Sequence, residues 1–432
     1  MILHAVATFN ELKCFVFRSV AMALMQTSTL LSCNRIFIRF GPRMLRQFTV
    51  FSQANVQIKN VDSDLSESTK SKEKIPNNKL KRDYERLCVW KDQNDMVEEL
   101  YSSVVYHEPE KDKSGLVVIN KPYGLPKSTG DDSRYSLETS LPHLADKLGV
   151  ANLDIIKCCE RFSSGITILG SNKKTAEMYK KSMDRARSVK ALSSSYLAIV
   201  KGLPNINKIE DVDLMVINCP EVNNPVVGSM HKEPVISRQL AKPWKLQRDK
   251  IKRVHVSAVS VARSSRGVGV MALSPSFVGK HFLQVYLADL GHSVLGDMMY
   301  DYRTRTLLGK KLRITSHTNA QRTQILAPHL LDLLGLVKGE EWVLPKLLHH
   351  HRLLLPQWLP GGEDVTVFAP PPQHWLSTCH TLDLRFDYKE FAKSDKISHY
   401  TLNPDRVENR KRKKEAEQQV MTDLEKNIKD LA

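Results

Sequence analysis

The cysteines of this chain form no recognisable framework. No CxxC pair and no Cys/His spacing typical of a zinc site is present, and the adjacent Cys158 and Cys159 suit neither zinc ligation nor an ordinary disulfide. The pattern argues against a disulfide-stapled secreted protein and favours a reducing compartment in which thiols act as small apolar residues. The seven cysteines are Cys14, Cys33, Cys88, Cys158, Cys159, Cys219 and Cys379.

The chain also lacks a hydrophobic run long enough to cross a membrane. The apolar stretch after Arg18 is interrupted by Gln26, Thr27 and Ser28. We therefore expect no membrane insertion, and a secretory signal or membrane anchor is the weaker interpretation of the N-terminus.

Acidic residues are nearly absent from the first fifty positions, where Glu11 is the only one. Apolar residues there are mixed with Ser and Thr, and three of the arginines recur at helical spacing. This composition predicts a mitochondrial transit peptide over residues 1–50 and a mature protein in the mitochondrial matrix. The basic residues are Lys13, Arg18, Arg35, Arg39, Arg43 and Arg46.

The whole chain is basic. Its 432 residues carry a formal net charge of +17 and the pI is near 9.4. Such a balance favours a polyanionic partner, which is RNA, DNA or anionic lipid. Charge alone does not choose among them, since a basic pI is also common in proteins addressed to mitochondria.

Composition divides the remainder into three parts. Residues 51–94 combine a polar linker with the start of a helix, residues 95–385 form the expected folded domain, and residues 386–432 form a charged tail. The tail contains the basic run 410–414, for which a solvated segment is a better explanation than a specific binding element.

Hydrophobic periodicity predicts helices and strands that are interleaved without internal repeats. The predicted helices are 84–105, 137–148, 173–188 and 280–290. The predicted strands are 117–119, 196–200, a hairpin of 254–263 and 268–273, and a strand–turn–strand unit within 353–369. Isolated helices among strand-rich segments predict an α+β fold with a largely antiparallel mixed sheet and flanking helices.

Two short motifs stand out in the first half of the domain. Residues 115–124 read GLVVINKPYG and predict a buried strand that runs into a tight turn. Residues 157–169 read KCCERFSSGITIL and predict a strand, a carboxylate at its end, and a small-residue turn before another strand.

Further motifs follow in the second half. Residues 194–202 read SSYLAIVKG, and residues 281–288 read HFLQVYLA. The segment GHSVLGD at 291–297 comes next, and then LHHHRL at 348–353 and APPP at 369–372.

In this order the motifs resemble those of the RluA/RsuA-type RNA pseudouridine synthases, and most of all those of the divergent mitochondrial members of that family. The resemblance covers residues 95–380. It implies the pseudouridine synthase fold with a central RNA-binding cleft, and an isomerase that acts on mitochondrial mRNA or rRNA. Because isomerisation of uridine involves neither redox change nor hydrolysis, no cofactor and no metal are implied.

The resemblance implies a role for individual residues. Glu160 takes the position of the catalytic Asp, where it would attack the substrate or remove a proton; an ordinary loop carboxylate is the alternative. Tyr196 is expected to stack on the uracil once the target base has left its stack. The other substrate-binding residues implied by the motifs are Arg161, Ser163, Ser164, His281 and Gln284.

A basic helix follows the second motif. Lys173 and Lys174 at its start are candidates to hold RNA phosphates, although a solvated helix face explains them equally well. The further candidates on this helix are Lys180, Lys181, Arg185 and Arg187.

Two positions depart from the family's pattern. Glu160 is longer than Asp by one methylene, which moves the carboxylate oxygens by about 1.5 Å. Gln284 stands where the family has an Arg that pairs with the catalytic acid, so a charge-assisted contact is lost. Arg161 and Lys280 are the candidates to supply the missing cation.

The three consecutive histidines at 349–351 suggest a metal site at first sight. Because successive side chains of a strand point to opposite faces, they cannot all reach one ion. We therefore expect no metal here.

The sequence thus predicts a monomeric RNA pseudouridine synthase. The alternative is an RNA-binding scaffold that kept the fold and lost the chemistry, with mitochondrial ribosome assembly factors as partners. Glu160 together with Gln284 favours the scaffold, whereas the turn at 163–165 and Tyr196 favour the enzyme. A third hypothesis, that the protein binds a membrane surface, is supported only by the basic run 410–414.

Overall fold

The computed structural model describes residues 79–108, 115–130, 134–189, 191–220, 230–307, 310–313, 324–359 and 361–398. The predicted transit peptide, most of the predicted 51–94 segment and most of the predicted tail lie outside these ranges, so these assignments stay predictions. Within the described ranges, no helix has both the length and the apolar character needed to cross a bilayer.

Nine α-helices and thirteen β-strands occur among the described residues. The helices are α1 (Lys79–Glu85), α2 (Gln93–Ser102), α3 (Leu137–Leu148), α4 (Lys173–Ser188), α5 (Pro243–Arg248), α6 (Phe282–Asp289), α7 (Pro328–Leu334), α8 (Gln373–Thr381) and α9 (Tyr388–Ser398). The strands are β1 (Val104–His107), β2 (Leu116–Lys121), β3 (Asp154–Lys157), β4 (Ser164–Gly170), β5 (Ser194–Lys201), β6 (Asn207–Pro220), β7 (Met230–Ser237), β8 (Lys252–Ser264), β9 (Val268–Pro275), β10 (Thr304–Leu307), β11 (Lys310–Arg313), β12 (Leu348–Leu355) and β13 (Val365–Phe368).

Eleven of these strands form one mixed sheet. Its order is β1-β2-β4-β12-β5-β9-β8-β6-β7, with β3 also paired to β4 and β13 to β12, while β10 and β11 pair separately. The strands of the large sheet pair antiparallel except for β4 and β12, which run parallel with His349 opposite Ser164. The predicted α+β class with a largely antiparallel mixed sheet is confirmed.

Local sequence signals account for most of the elements. Helices α3 and α4 coincide with the predicted helices 137–148 and 173–188. A capping box between Ser136 and Thr139 starts α3, and Gly149 ends it in the left-handed conformation. Strands β8 and β9 form the predicted hairpin.

The helix predicted over 84–105 is wrong in extent. The chain forms α1 and α2 instead, and Val104 already begins β1. Cys88 lies between the two helices with a φ of 68°, which a right-handed helix does not accommodate. Asp92 then starts α2 by accepting a hydrogen bond from the backbone N of Asp95.

Apolar side chains pack on both faces of the sheet. On β5, Ala198 and Val200 pack with α6 on one face, and Leu197 and Ile199 pack with α7 and α8 on the other. Strands β2 and β4 are covered likewise, by α2 and α3 on one face and by α4 on the other. This arrangement follows from the alternation of side chains along a strand.

Strand β12 lies in the middle of the sheet, between β4 and β5. Its Leu348 packs with the cluster under α6, whereas Leu353 packs with the cluster under α4. His350 lies between these two residues in the chain. The cluster under α6 and the cluster under α4 therefore meet along β12, where it runs between β4 and β5.

Gly165 allows β4 and β12 to approach at this point. Its φ is 115°, and a Cβ placed on it would lie 2.7 Å from the backbone N of His350. Any other residue would strain the backbone and also push the two strands apart.

We therefore expect Gly165→Ala to lower the free energy of unfolding by about 1–3 kcal/mol through its backbone conformation, with the steric clash adding to the loss. Gly267→Ala is the control, because Gly267 has a φ of 82° and a Cβ there would meet no atom within 4 Å. Urea unfolding measures both variants. Equal losses would contradict the steric contribution at Gly165.

Candidate active site

Glu160 lies in the connection between β3 and β4, where a turn fixes its backbone. The backbone N of Ser163 donates to the Glu160 carbonyl at 3.2 Å, and Ser163 Oγ donates to the same oxygen at 3.0 Å. Ser164 Oγ lies 2.9 Å from His349 Nδ1, which fastens the start of β4 to β12. Both serines thus hold the segment that presents Glu160, and their predicted contact with substrate stays a prediction.

Three side chains converge on the Glu160 carboxylate. Lys346 Nζ donates to Oε2 at 2.7 Å, and Gln284 Nε2 donates to the same oxygen at 2.9 Å. His281 Nδ1 lies 3.1 Å from Oε1. The Glu160 side chain is still 39% exposed, so the carboxylate is held in place and remains within reach of a ligand.

These contacts decide the ionisation of Glu160. Burial raises its pKa, but the close contact with His281 and the charge of Lys346 outweigh burial and bring the pKa to about 2, below the ordinary value of 4.5. The group is therefore a carboxylate at physiological pH. Its contribution to stability is present above pH 4.5 and is lost as the pH falls through about 2.

Lys346, which contacts Glu160, is outside the motifs of the sequence and was not predicted at this site. It lies immediately upstream of β12, with its side chain only 13% exposed, and its backbone N donates to Tyr123 Oη at 3.2 Å. The charge of Lys346 also acts on Asp297, a buried carboxyl group whose pKa burial raises to about 6. The signal available in the sequence was a lysine two residues before the LHHHRL motif.

The motif GHSVLGD makes room for Lys346. A Cβ on Gly296, its second glycine, would lie 2.6 Å from the Pro345 carbonyl carbon and 2.9 Å from the Lys346 backbone N. Gly296 also takes a φ of 83°. This motif, the strongest match to the family, therefore positions the segment that carries the cation.

Gln284 meets Glu160 as a neutral donor, while Lys346 supplies the charge, and the predicted contact of Gln284 with substrate stays a prediction. The two cations proposed from sequence lie elsewhere. Arg161 Nε donates to the Gly124 carbonyl at 3.3 Å, and its guanidinium lies 5.1 Å from the centre of the Phe162 ring. Within the described chain, Lys280 forms no ion pair with Glu160.

His281 reaches Glu160 through an unusual backbone. Lys280 and His281 have φ values of 58° and 54°, both in the left-handed region, directly before α6 begins. Two successive residues of this kind are strained and persist only where the surrounding structure holds them. Here the strained turn places an imidazole beside the carboxylate.

Tyr196, the predicted stacking residue, is 7% exposed and lies against His350. The two ring centres are 4.3 Å apart and the planes differ by 13°. Burial raises the pKa of Tyr196, and the nearby Glu160 adds to this effect, so the phenol is neutral. One face of the ring is therefore taken by His350, and contact with a target base stays a prediction.

The three histidines of β12 each contact a different residue. His349 Nε2 lies 3.0 Å from the Ala369 carbonyl, His350 Nδ1 lies 3.2 Å from the Ile166 carbonyl, and His351 Nε2 lies 3.0 Å from Ser195 Oγ. Burial lowers the pKa of each, so all three are neutral. Across the described ranges, no group of His, Cys, Asp and Glu is arranged to hold a metal ion.

Lys173 and Lys174 are exposed at the start of α4, directly after β4. Glu160 precedes the other end of this strand. Because β4 advances about 3.4 Å per residue, the two lysines are about 20 Å from the beginning of the strand. The structure does not bring them to Glu160, and contact with more distant RNA phosphates stays a prediction.

We expect Lys346→Met to raise the pKa of Glu160 from about 2 towards 4.5, because the substitution removes the cation nearest to the carboxylate. Lys346→Arg keeps the charge and should leave the pKa low. An NMR titration of labelled glutamate carboxyl carbons measures the shift, with Glu160→Gln identifying the resonance. An unchanged titration in Lys346→Met would show that Lys346 does not control Glu160.

The chain is similar to known proteins over 63–76% of its length, although no protein-family model matches it. It is 29% identical to the human mitochondrial mRNA pseudouridine synthase RPUSD3 over 283 residues, which are 63% of this chain and 75% of that protein. It is 25% identical to the bovine mitochondrial pseudouridylate synthase RPUSD4 over 347 residues, 76% of this chain and 83% of that protein.

Among solved structures, human RNA pseudouridylate synthase domain containing 4 matches 68% of this chain and 98% of its own, with 22% sequence identity and a TM-score of 0.49. The sequence relatives share one activity in their names. The chain is therefore a homologue of RPUSD3 and RPUSD4, whose names give both as mitochondrial pseudouridine synthases.

Proposed function

We propose that this protein is an RNA pseudouridine synthase that converts uridine to pseudouridine in mitochondrial RNA. The observation that carries the proposal is the ionised carboxylate of Glu160, held by Lys346, Gln284 and His281 at the family's catalytic position. The names of the relatives, a mitochondrial mRNA pseudouridine synthase and a mitochondrial pseudouridylate synthase, support the substrate and the compartment.

The reaction needs little beyond this carboxylate. The bond from the ribose to the uracil nitrogen breaks, the base turns, and a bond from the ribose to a ring carbon forms. That carbon loses a proton and the freed nitrogen gains one, so no oxidant and no water are consumed. Glu160 either attacks a sugar or base carbon or removes a proton, and both roles require the ionised form that its low pKa supplies.

The pair of Glu160 and Lys346 replaces the Asp and Arg of the family pattern. Glutamate reaches further than aspartate by about 1.5 Å, and the long side chain of lysine meets it from the segment before β12. Lysine binds Oε2 as a point charge, while Oε1 lies 3.1 Å from His281 Nδ1. The site therefore keeps a cation beside the acid although Gln284 is neutral.

We assign further roles around this carboxylate. The part of the Tyr196 ring that His350 leaves uncovered stacks on the target base. Arg161 and its neighbour Phe162, whose ring is 51% exposed, contact the nucleotide next to the target. Lys173 and Lys174 hold RNA phosphates farther along the chain. The mature protein acts as a monomer in the mitochondrial matrix.

The inactive-scaffold interpretation loses the observation that favoured it. It rested on Glu160 being left without a cation once Gln284 replaced arginine, and Lys346 now provides that cation at 2.7 Å. The same carboxylate is ionised and partly exposed, which a structural role does not require. The enzyme is therefore the better proposal.

We expect Glu160→Gln to lower the rate of pseudouridine formation by about 10²–10⁴-fold or more, because the amide keeps the shape and loses the charge. RNA affinity should stay close to wild type. Mass spectrometry of mitochondrial RNA treated with the purified protein gives the product, and fluorescence anisotropy gives the affinity. Unchanged product in this variant would rule out Glu160 as the reacting group.

A second substitution tests whether the site is built for glutamate. Glu160→Asp withdraws the carboxylate by about 1.5 Å from its partners, and misplacement of this size costs on the order of a hundredfold in rate. Glu177→Asp on the exposed side of α4 is the matched control. Single-turnover kinetics on the same RNA compares them. Equal or higher activity in Glu160→Asp would contradict the proposed pairing with Lys346.

A further inference from the structure

The connection between β7 and β8 carries a strongly basic surface. Residues 238–253 contain only one acid, Asp249, and helix α5 lies in their middle. Trp244 on α5 is 55% exposed, and Leu240 just before the helix is 44% exposed. The basic residues of this segment are Arg238, Lys242, Lys245, Arg248, Lys250, Lys252 and Arg253.

Trp244 is flanked by cations. Lys245 Nζ lies 5.5 Å from the centre of the indole ring, and the guanidinium carbon of Arg248 lies 4.9 Å from it. Asp249 pairs with Arg248 at 2.8 Å and so neutralises one charge of this surface. An exposed aromatic ring between cations binds a base through its face and a phosphate through the charges beside it.

Buried contacts hold this segment on the domain. Asp213 of β6 is fully buried, and it accepts hydrogen bonds from Arg253 Nε at 2.9 Å and from the Ala241 backbone N at 2.5 Å. Arg253 Nη2 also donates to the Ala241 carbonyl at 2.6 Å. These hydrogen bonds therefore fix the segment that carries Trp244 to strand β6 of the sheet.

The same segment is tied to the candidate active site. Arg238, at its start, forms an ion pair with Asp289 at the end of α6, the helix that carries Gln284. Lys252, at its end, lies 5.4 Å from the ring of Phe277, and Phe277 belongs to the loop that leads to His281. A second pair of a cation and an aromatic ring is thus formed by this segment and the loop before His281.

We propose that Trp244, with Lys245 and Arg248, is a stacking platform for an unpaired base of the single-stranded RNA that flanks the target uridine. Lys242, Lys250 and further cations of the segment bind the phosphates of that RNA. The excess of positive charge selects a polyanion, and the flat exposed ring selects an unstacked base, which single-stranded RNA presents. The proposal rests on the proposed function in requiring that the protein acts on RNA.

Binding of full-length protein to a fluorescein-labelled single-stranded RNA of about 20 nucleotides with a central uridine tests the platform. We expect Trp244→Ala to weaken binding by roughly tenfold, the loss of one stacked base. Trp244→Phe keeps an aromatic face and should bind close to wild type. Trp342→Ala is the matched control, because Trp342 is 49% exposed in the short helix Glu341–Val343, outside this surface.

Two results overturn the proposal. If Trp244→Ala binds the RNA like wild type, no base stacks on this ring. If Trp342→Ala weakens binding as much as Trp244→Ala does, the effect belongs to the fold in general and not to the platform.

Salt dependence tests the phosphate contacts separately. On single strands, the slope of log affinity against log salt concentration is about −0.7 for each phosphate contact, so each lost contact makes it shallower by about 0.7. We expect the combined Lys242→Ala and Lys250→Ala variant to show a shallower slope than wild type. An unchanged slope would overturn this part of the proposal.

Kinetics separate the platform from the proposed function. Trp244→Ala should raise the KM for RNA and leave kcat unchanged, because Trp244 is not among the side chains that contact the Glu160 carboxylate. A fall in kcat alone would overturn the platform. If wild type forms no pseudouridine while Trp244→Ala still weakens RNA binding, the proposed function fails and the platform stands.

Discussion

The ion pair between Glu160 and Lys346 is the contact on which the candidate site depends. The acid comes from the connection between β3 and β4, the cation from the segment before β12, and the neutral donor Gln284 from α6. None of these segments is adjacent in sequence, and the middle of the sheet brings them together. Their convergence explains why a partly buried glutamate stays ionised with a pKa of about 2 instead of taking up a proton.

The first motif supports both members of this pair, which gives its turn a structural purpose. Lys121 Nζ, fully buried, donates to the carbonyl of Leu125 at 2.9 Å and to that of Arg161, the neighbour of Glu160, at 3.3 Å. Tyr123 Oη accepts from the backbone N of Lys346. One turn therefore steadies the acid's segment and the cation's segment alike.

Local signals in the sequence predicted much of the fold and half of the site. Helix α3 could be located because its capping box and terminal glycine are short-range signals, and Glu160 and Gln284 could be located because they lie inside motifs. Lys346 could not be located in this way. Its role depends on the pairing of β12 with β4 and on the close approach of Gly296, neither of which a local pattern encodes.

The parallel pairing of β4 with β12 also sets when the site is completed during folding. Glu160 and Lys346 are 186 positions apart, and the strands that join them are distant in the chain. Contacts of such long sequence separation form late, since the intervening loop must close first. A partly synthesised or partly refolded chain in which β12 is not yet in place therefore holds Glu160 without its counter-charge. The candidate site is complete only when the last quarter of the polypeptide has folded.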